Sequence, residues 1–150
     1  MRTLKILIIQ GANMNWLGKR EPEKYGTTTA AELDAMMRDH AQRHGYDLAL
    51  FQTNHEGACI DRIYRAVEDG VDCLVMNPGG FTYAGKAVAE CIRGTRIPYL
   101  EVHIKNHNAA GSHSVIADAA IGVIMGLGVH GYLHALDAAL RIAHERASAT

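Results

Sequence analysis

At 150 residues, 48% hydrophobic and 21% charged, the chain is long enough to bury the core of one domain without staples. Fifteen basic residues against sixteen acidic ones leave a formal net charge of -1, which excludes the electrostatic footprint of a nucleic-acid binder or of a protein drawn to an anionic membrane. No apolar run reaches the roughly 20 residues of a bilayer span, and the apolar start MRTLKILIIQ lacks a small-residue cleavage site, so it reads as a strand rather than a signal peptide.

Residues 4–9 form a continuous apolar run with β-branched members, the pattern of a buried parallel strand. Residues 11–26, GANMNWLGKREPEKYG, then make a long polar segment punctuated by glycine. Loops of that length in a small domain are usually functional. Trp16, Leu17 and Tyr25 within it are side chains that seek a packing partner, so the segment reads as a hinged lid carrying Asn13, Asn15, Arg20 and Tyr25. Thr29 followed by Glu32 is a capping-box pattern. The helix it opens places Leu33, Met36, Met37, His40 and Ala41 inward and stops at Gly45.

A second strand spans 48–52, and a second helix carries Ile60, Ile63, Tyr64 and Val67 at i, i+3, i+4, i+7 spacing. The third strand spans 73–76 and ends at NPGG, before a helix at 84–93 with Ala87, Val88, Cys91 and Ile92 inward. The fourth strand spans 98–102, with Pro98 at its first residue, where a missing N–H is tolerated. A polar stretch at 103–114, a fifth strand at 121–125 and a helix at 129–147 complete the chain, the last burying Tyr132, Leu133, Leu136, Leu140 and Ala143. Cys59, Cys73 and Cys91 are odd in number, form no CxxC and sit in apolar contexts, which predicts buried, reduced thiols in a cytoplasmic protein.

Strands alternating with helices over short connections predict a single three-layer α/β domain, residues 1–150, with a parallel sheet. Ligands of such sheets bind beyond the carboxyl ends of strands near the point where strand order reverses. That rule selects the lid, the segment 77–83 and the segment from His103 onward, which is also where the polar residues concentrate. Gly126, Gly128 and Gly131 match GxGxxG, but no further strand with an acidic end follows, so a dinucleotide site is excluded in favour of close packing of the last strand and helix.

Within those segments, Arg20 precedes Tyr25 by five residues. A free phenol titrates near pH 10, and a guanidinium held beside one favours the phenolate, giving a base for a proton α to a carbonyl. The alternative is a tyrosine capping apolar surface beside a solvated arginine. Glu101 and His103, two apart on a strand, share a face, so the carboxylate can orient the imidazole as a general acid; a structural ion pair at the strand end is the competing reading. Asn13 and Asn77 are neutral donors suited to a developing oxyanion, or ordinary turn residues. His103, His107 and His113 with Glu101 match no compact metal-ligand spacing.

Five blocks, ILIIQGANMNWLGKREPEKYG, FQTNHEGACID, NPGGFTYAG, IPYLEVHIKN and GVIMGLGVHGY, occur in order across nearly the whole chain. Together they resemble the type II 3-dehydroquinate dehydratases, or type II dehydroquinases, of the shikimate and quinate pathways. The resemblance implies a flavodoxin-like fold with a five-stranded parallel sheet and a cytoplasmic homododecamer built from trimers. It also implies no metal and no organic cofactor, and anti elimination of water from 3-dehydroquinate through an enolate. By motif position, Tyr25 matches the base, Arg20 its activator, Asn13 the residue that steadies the enolate through a water, His103 the general acid and Glu101 its orienting partner. Asn77, Tyr83, Ile104 and Lys105 fall at substrate-binding positions.

Three of the gripping groups depart from the family pattern. Tyr83 stands where the family has His, Lys105 where it has Ser or Thr, and no arginine occurs between Arg96 and Arg141. Ala12 also replaces a proline that would stiffen the start of the lid. The departures leave two alternatives open: the same machinery acting on another small hydroxy- or keto-carboxylate, and a catalytically silent oligomer that binds a small ligand.

Overall fold

The computed structural model describes residues 2–149; the single-domain expectation over 1–150 includes two terminal residues outside that range. β1 (Lys5–Ala12) is buried from Ile6 to Gly11, as its unbroken apolar run requires. After the short helix α1 (Pro22–Tyr25), the chain forms α2 (Ala30–His44), β2 (Asp47–Gln52), α3 (Glu56–Glu68) and β3 (Cys73–Gly79). α4 (Lys86–Thr95), β4 (Tyr99–His103), β5 (Gly122–Met125) and α5 (Gly131–Ser148) follow. All neighbouring strands pair in parallel, in the order β2-β1-β3-β4-β5. This is the flavodoxin-like order, with its reversal between β1 and β3.

Side-chain alternation along each strand divides the core in two. Ile6, Ile8, Val75 and Val102 face α2 and α5, while Leu7, Ile9, Leu74, Met76 and Tyr99 face α3 and α4. The three-layer expectation holds. α2 begins with the full capping box, Thr29 Oγ1 accepting from Glu32 N at 3.1 Å and Glu32 Oε1 accepting from Thr29 N at 3.0 Å. It ends at Gly45, whose φ of 69° is the left-handed conformation a helix stop uses.

Three helix faces differ from expectation. On α3 the buried residues are Cys59, Ile63 and Ala66, and the outer half of the predicted stripe, Tyr64 and Val67, is exposed. Small side chains here sit nearer the sheet than large ones, because an Ala or Cys lets the helix approach it closely. On α4 the buried residues are Val88, Ala89, Cys91 and Ile92, so the buried face includes Ala89 rather than the expected Ala87. On α5 Ala135 and Ala139 are fully buried, whereas Leu133 and Leu140 reach only the margin of the core.

The GxGxxG glycines do two separate jobs. Gly126 and Gly128 take φ of 88° and 66°, and Gly131 lets α5 settle on Val102 and Ile124, where an added Cβ would lie 3.5 and 3.6 Å from their methyls. Those are ordinary van der Waals distances, so Gly131 does not bear out the close-packing expectation; the tight approach is at Gly126, where a Cβ would lie 3.1 Å from Asn106 Cβ.

Candidate active site

The site stands where β1 and β3 part. Their ends run so close that a Cβ on Gly11 would lie 1.9 Å from Pro78 O, and one on Gly79, itself at φ 56°, 2.3 Å from Ala12 O. Beyond this contact opens a cleft of about 210 Å³, lined by Asn13, Arg20, Tyr25, Asn77, Tyr83 and Ile104 among others. Asn13 adopts φ 74°, a conformation asparagine tolerates, and its backbone N–H donates to Asn54 Oδ1 at 2.9 Å.

The lid is more structured than a loop. Gly11 and Ala12 belong to β1, Met14–Trp16 makes one 3-10 turn, and Tyr25 closes α1. Leu17 packs into the core beside α2 and Tyr25 packs partly against it, but Trp16 is 54% exposed, with the Lys19 ammonium 4.6 Å above its ring. The expectation that all three would find apolar partners fails for Trp16.

Two cations address Tyr25. The Arg20 guanidinium lies 5.4 Å from the ring centroid and the Lys105 ammonium 5.8 Å. Both are within cation–π range. Glu21, at a φ of 37°, pairs with Lys24 at 2.9 Å and lies 3.9 Å from Arg20. That pairing, foremost with Lys24, holds the Glu21 carboxyl below its ordinary range.

Asn77 is buried and already engaged. Its Oδ1 accepts from Gly79 N at 3.0 Å, and its Nδ2 donates to Tyr132 Oη at 2.8 Å, which in turn donates to Gln10 Oε1 at 2.7 Å. Burial pushes the Tyr132 phenol upward, keeping it a donor. One N–H of Asn77 is left for the cleft.

On β4, Tyr99, Glu101 and His103 point to one face. Glu101 is fully buried; Oε2 accepts from His103 Nε2 and Oε1 from Tyr99 Oη, each at 2.7 Å. Two donors on one carboxylate fix its plane and, through it, the imidazole. His103 is 1% exposed, and its Nδ1 has no partner among the described residues. The ring of His107 lies edge-on to it, centroids 4.8 Å apart, and it is His107 that lines the cleft. Burial first, then the charges of His103 and Lys105, hold the His107 imidazole below its usual range.

Of the sequence-predicted residues, Glu101 and His103 therefore sit behind the cleft wall and Lys105 at the ring of Tyr25. Sequence reasoning missed Tyr99 and the cleft-lining role of His107. Tyr99 was legible, since it continues the two-residue spacing of Glu101 and His103. Nothing in the spacing marks His107. The metal reading of His103, His107, His113 and Glu101 is not supported: among the described residues the His, Cys, Asp and Glu side chains close enough to share an ion are His40, His44 and Asp137.

A flavodoxin-like sheet with a cleft at its strand-order reversal defines an α/β protein with a place for a small molecule beyond the strand ends. The model of the family "Dehydroquinase class II" matches residues 4–140. The chain is 44% identical over 138 residues to the 3-dehydroquinate dehydratase of Ralstonia pickettii, covering 90% of this chain and 89% of that one. It is 47% identical over 135 residues to the catabolic 3-dehydroquinase 1 of Neosartorya fischeri, covering 88% and 89%. The crystal structure of type II dehydroquinase from Butyrivibrio crossotus superposes with a TM-score of 0.88 at 35% identity, covering 91% of this chain and 97% of that one. The chain belongs to the class II dehydroquinases, a family of hydro-lyases.

Proposed function

We propose that the protein dehydrates 3-dehydroquinate to 3-dehydroshikimate by anti elimination, with Tyr25 as base and His103 as acid. The observation that carries this reading is the convergence of Arg20 and Lys105 on the Tyr25 ring at a cleft lined by Asn13 and Asn77. Both cations stand over the ring of the residue proposed to take the proton, at the mouth of the cleft that would hold the substrate. Tyr25 removes the proton α to the ketone, and Asn13, through a water, steadies the enolate that forms. The remaining N–H of Asn77 binds substrate.

His103 then protonates the departing hydroxyl. Its Nε2 is committed to Glu101, so the acid proton is carried on Nδ1, the ring nitrogen without a partner among the described residues. The ring of His107, edge-on to His103, stands between it and the cleft it lines. Ile104 forms the apolar wall beside it, and Tyr83, 60% exposed, stands at the rim.

No helix among the described residues is long and apolar enough to cross a membrane. The three buried free thiols favour the cytoplasm, and a homododecamer built from trimers accounts for the exposed Tyr64, Val67, Ile121 and Val123. The decisive assay adds 3-dehydroquinate and follows the conjugated-enone absorbance of the product. Folded protein without turnover above background sinks this reading.

A second reading, a different small hydroxy- or keto-carboxylate as substrate, is favoured by Tyr83, 60% exposed at the cleft rim where the family pattern has His. Lys105 presents an ammonium beside Tyr25, a point charge able to hold a carboxylate without the geometry of an arginine fork. Turnover of another such acid with kcat/KM above that for dehydroquinate would decide for it. If no acid is turned over and Tyr25→Phe changes nothing measurable, a silent ligand-binding oligomer is left.

A further inference from the structure

The C-terminal turns of α2 lead back toward the start of β2, at the opposite end of the sheet from the cleft. His40 and His44 stand there one helical turn apart, their rings stacked with centroids 4.2 Å apart. Asp137 of α5 faces them, and the ligand atoms of all three lie within 4.8 Å of one another.

His40 is buried and held on both ring nitrogens. Nδ1 lies 2.8 Å from the hydroxyl of Tyr46 and Nε2 2.7 Å from Asp137 Oδ1. Burial pushes the Tyr46 phenol upward, so its proton stays in place. A hydroxyl behind one ring nitrogen fixes the ring and aims the other outward, as the partners of metal-bound histidines do. His44 is exposed and the Asp137 side chain is 59% exposed, so both can adjust to a ligand.

We propose that His40, His44 and Asp137 form a binding site for a divalent transition-metal ion of the zinc type, tying α2 to α5 independently of the catalytic cleft. Two imidazoles and a carboxylate suit zinc and its neighbours, whereas calcium and magnesium call for oxygen ligands throughout. Ligand atoms around tetrahedral zinc are about 3.3 Å apart, given bonds of roughly 2.0 Å. His44 needs to close a short distance onto the fixed imidazole, while Asp137, now 2.7 Å from His40 Nε2, needs to open by about half an ångström. The ion displaces to solvent the proton between His40 Nε2 and Asp137, His40 carries its remaining proton on Nδ1, which donates to Tyr46 Oη, and water fills the fourth position.

Calorimetric titration of zinc chloride into chelator-treated full-length protein is expected to show one ion per chain at micromolar or lower concentration. His44→Ala and Asp137→Asn alter exposed side chains and keep the fold, which circular dichroism verifies; each is expected to weaken binding by at least about tenfold. Tyr46→Phe, which touches no ion, is expected to weaken it by about tenfold through loss of the oriented ring. His107→Ala, in the other histidine pair, leaves it unchanged. Binding that survives the His44 and Asp137 replacements, or no binding to the folded protein, overturns the proposal and reduces His40–Asp137 to a structural ion pair.

Discussion

As the proposed base, Tyr25 is the residue whose replacement tests the chemistry most directly. General-base catalysis contributes roughly 10²- to 10⁴-fold, so Tyr25→Phe should lower kcat by that range while KM moves little. The Lys105 ammonium lies 5.8 Å from the centroid of the same ring and is proposed to meet the substrate carboxylate. Lys105→Met should therefore raise KM for dehydroquinate by about tenfold, the equivalent of a lost charge-assisted contact of roughly 1.4 kcal/mol. Steady-state kinetics on the enone signal separate the two effects. Tyr132 has a different sort of importance: it lies behind the site and satisfies both Asn77 and Gln10. Tyr132→Phe strands two buried amides, and denaturant melts should show a loss of about 1–3 kcal/mol.

Among the elements, α2 and the β1–β3 junction show how local sequence secures the site. The capping box at Thr29 ends the lid and starts α2 at a fixed residue, so the lid returns to the core at a defined point. Thr29→Ala should cost about 1 kcal/mol by thermal or denaturant unfolding. At the junction, Gly79 leaves the strand at a positive φ with Ala12 O where a side chain would sit. Replacing it forces β1 and β3 apart and opens the cleft floor. The exposed halves of the predicted stripe on α3 teach a further point. Apolar periodicity marks the buried side of a helix to within a residue or two, and the neighbouring layer chooses which rows touch it. In α3 and α5 it chose the rows with alanine.

Over the whole molecule, burial governs the chemistry of the cysteines. Cys59 and Cys73 lie in the two separate cores, and burial pushes each thiol up to about 12. An acid whose folded pKa exceeds its unfolded value binds more protons when folded. The stability this confers is thus fully present below the unfolded value near 9 and is lost as pH rises through about 12. Native protein should resist iodoacetamide at pH 8 and label only after denaturation, as mass spectrometry would show. The exposed Tyr64 and Val67 should be covered in the proposed oligomer. Light scattering should give a mass far above the 16.3 kDa of one chain, and Val67→Asp should yield smaller species.

The sequence by itself determined the order and type of the elements, the parallel sheet and three segments of the site. Those properties depend on periodicity, capping and the rule that strand ends carry ligands, all of which are local or nearly so. Glu101 and His103 were legible as a pair because two residues on one strand necessarily share a face. What lies across the fold was decided only in three dimensions. Lys105 meets Tyr25 from 80 positions along the chain, and Asn77 spends an amide N–H on Tyr132, which in turn donates to Gln10. Contacts of that sort depend on how layers and loops settle against one another, and no spacing along a strand or helix encodes them.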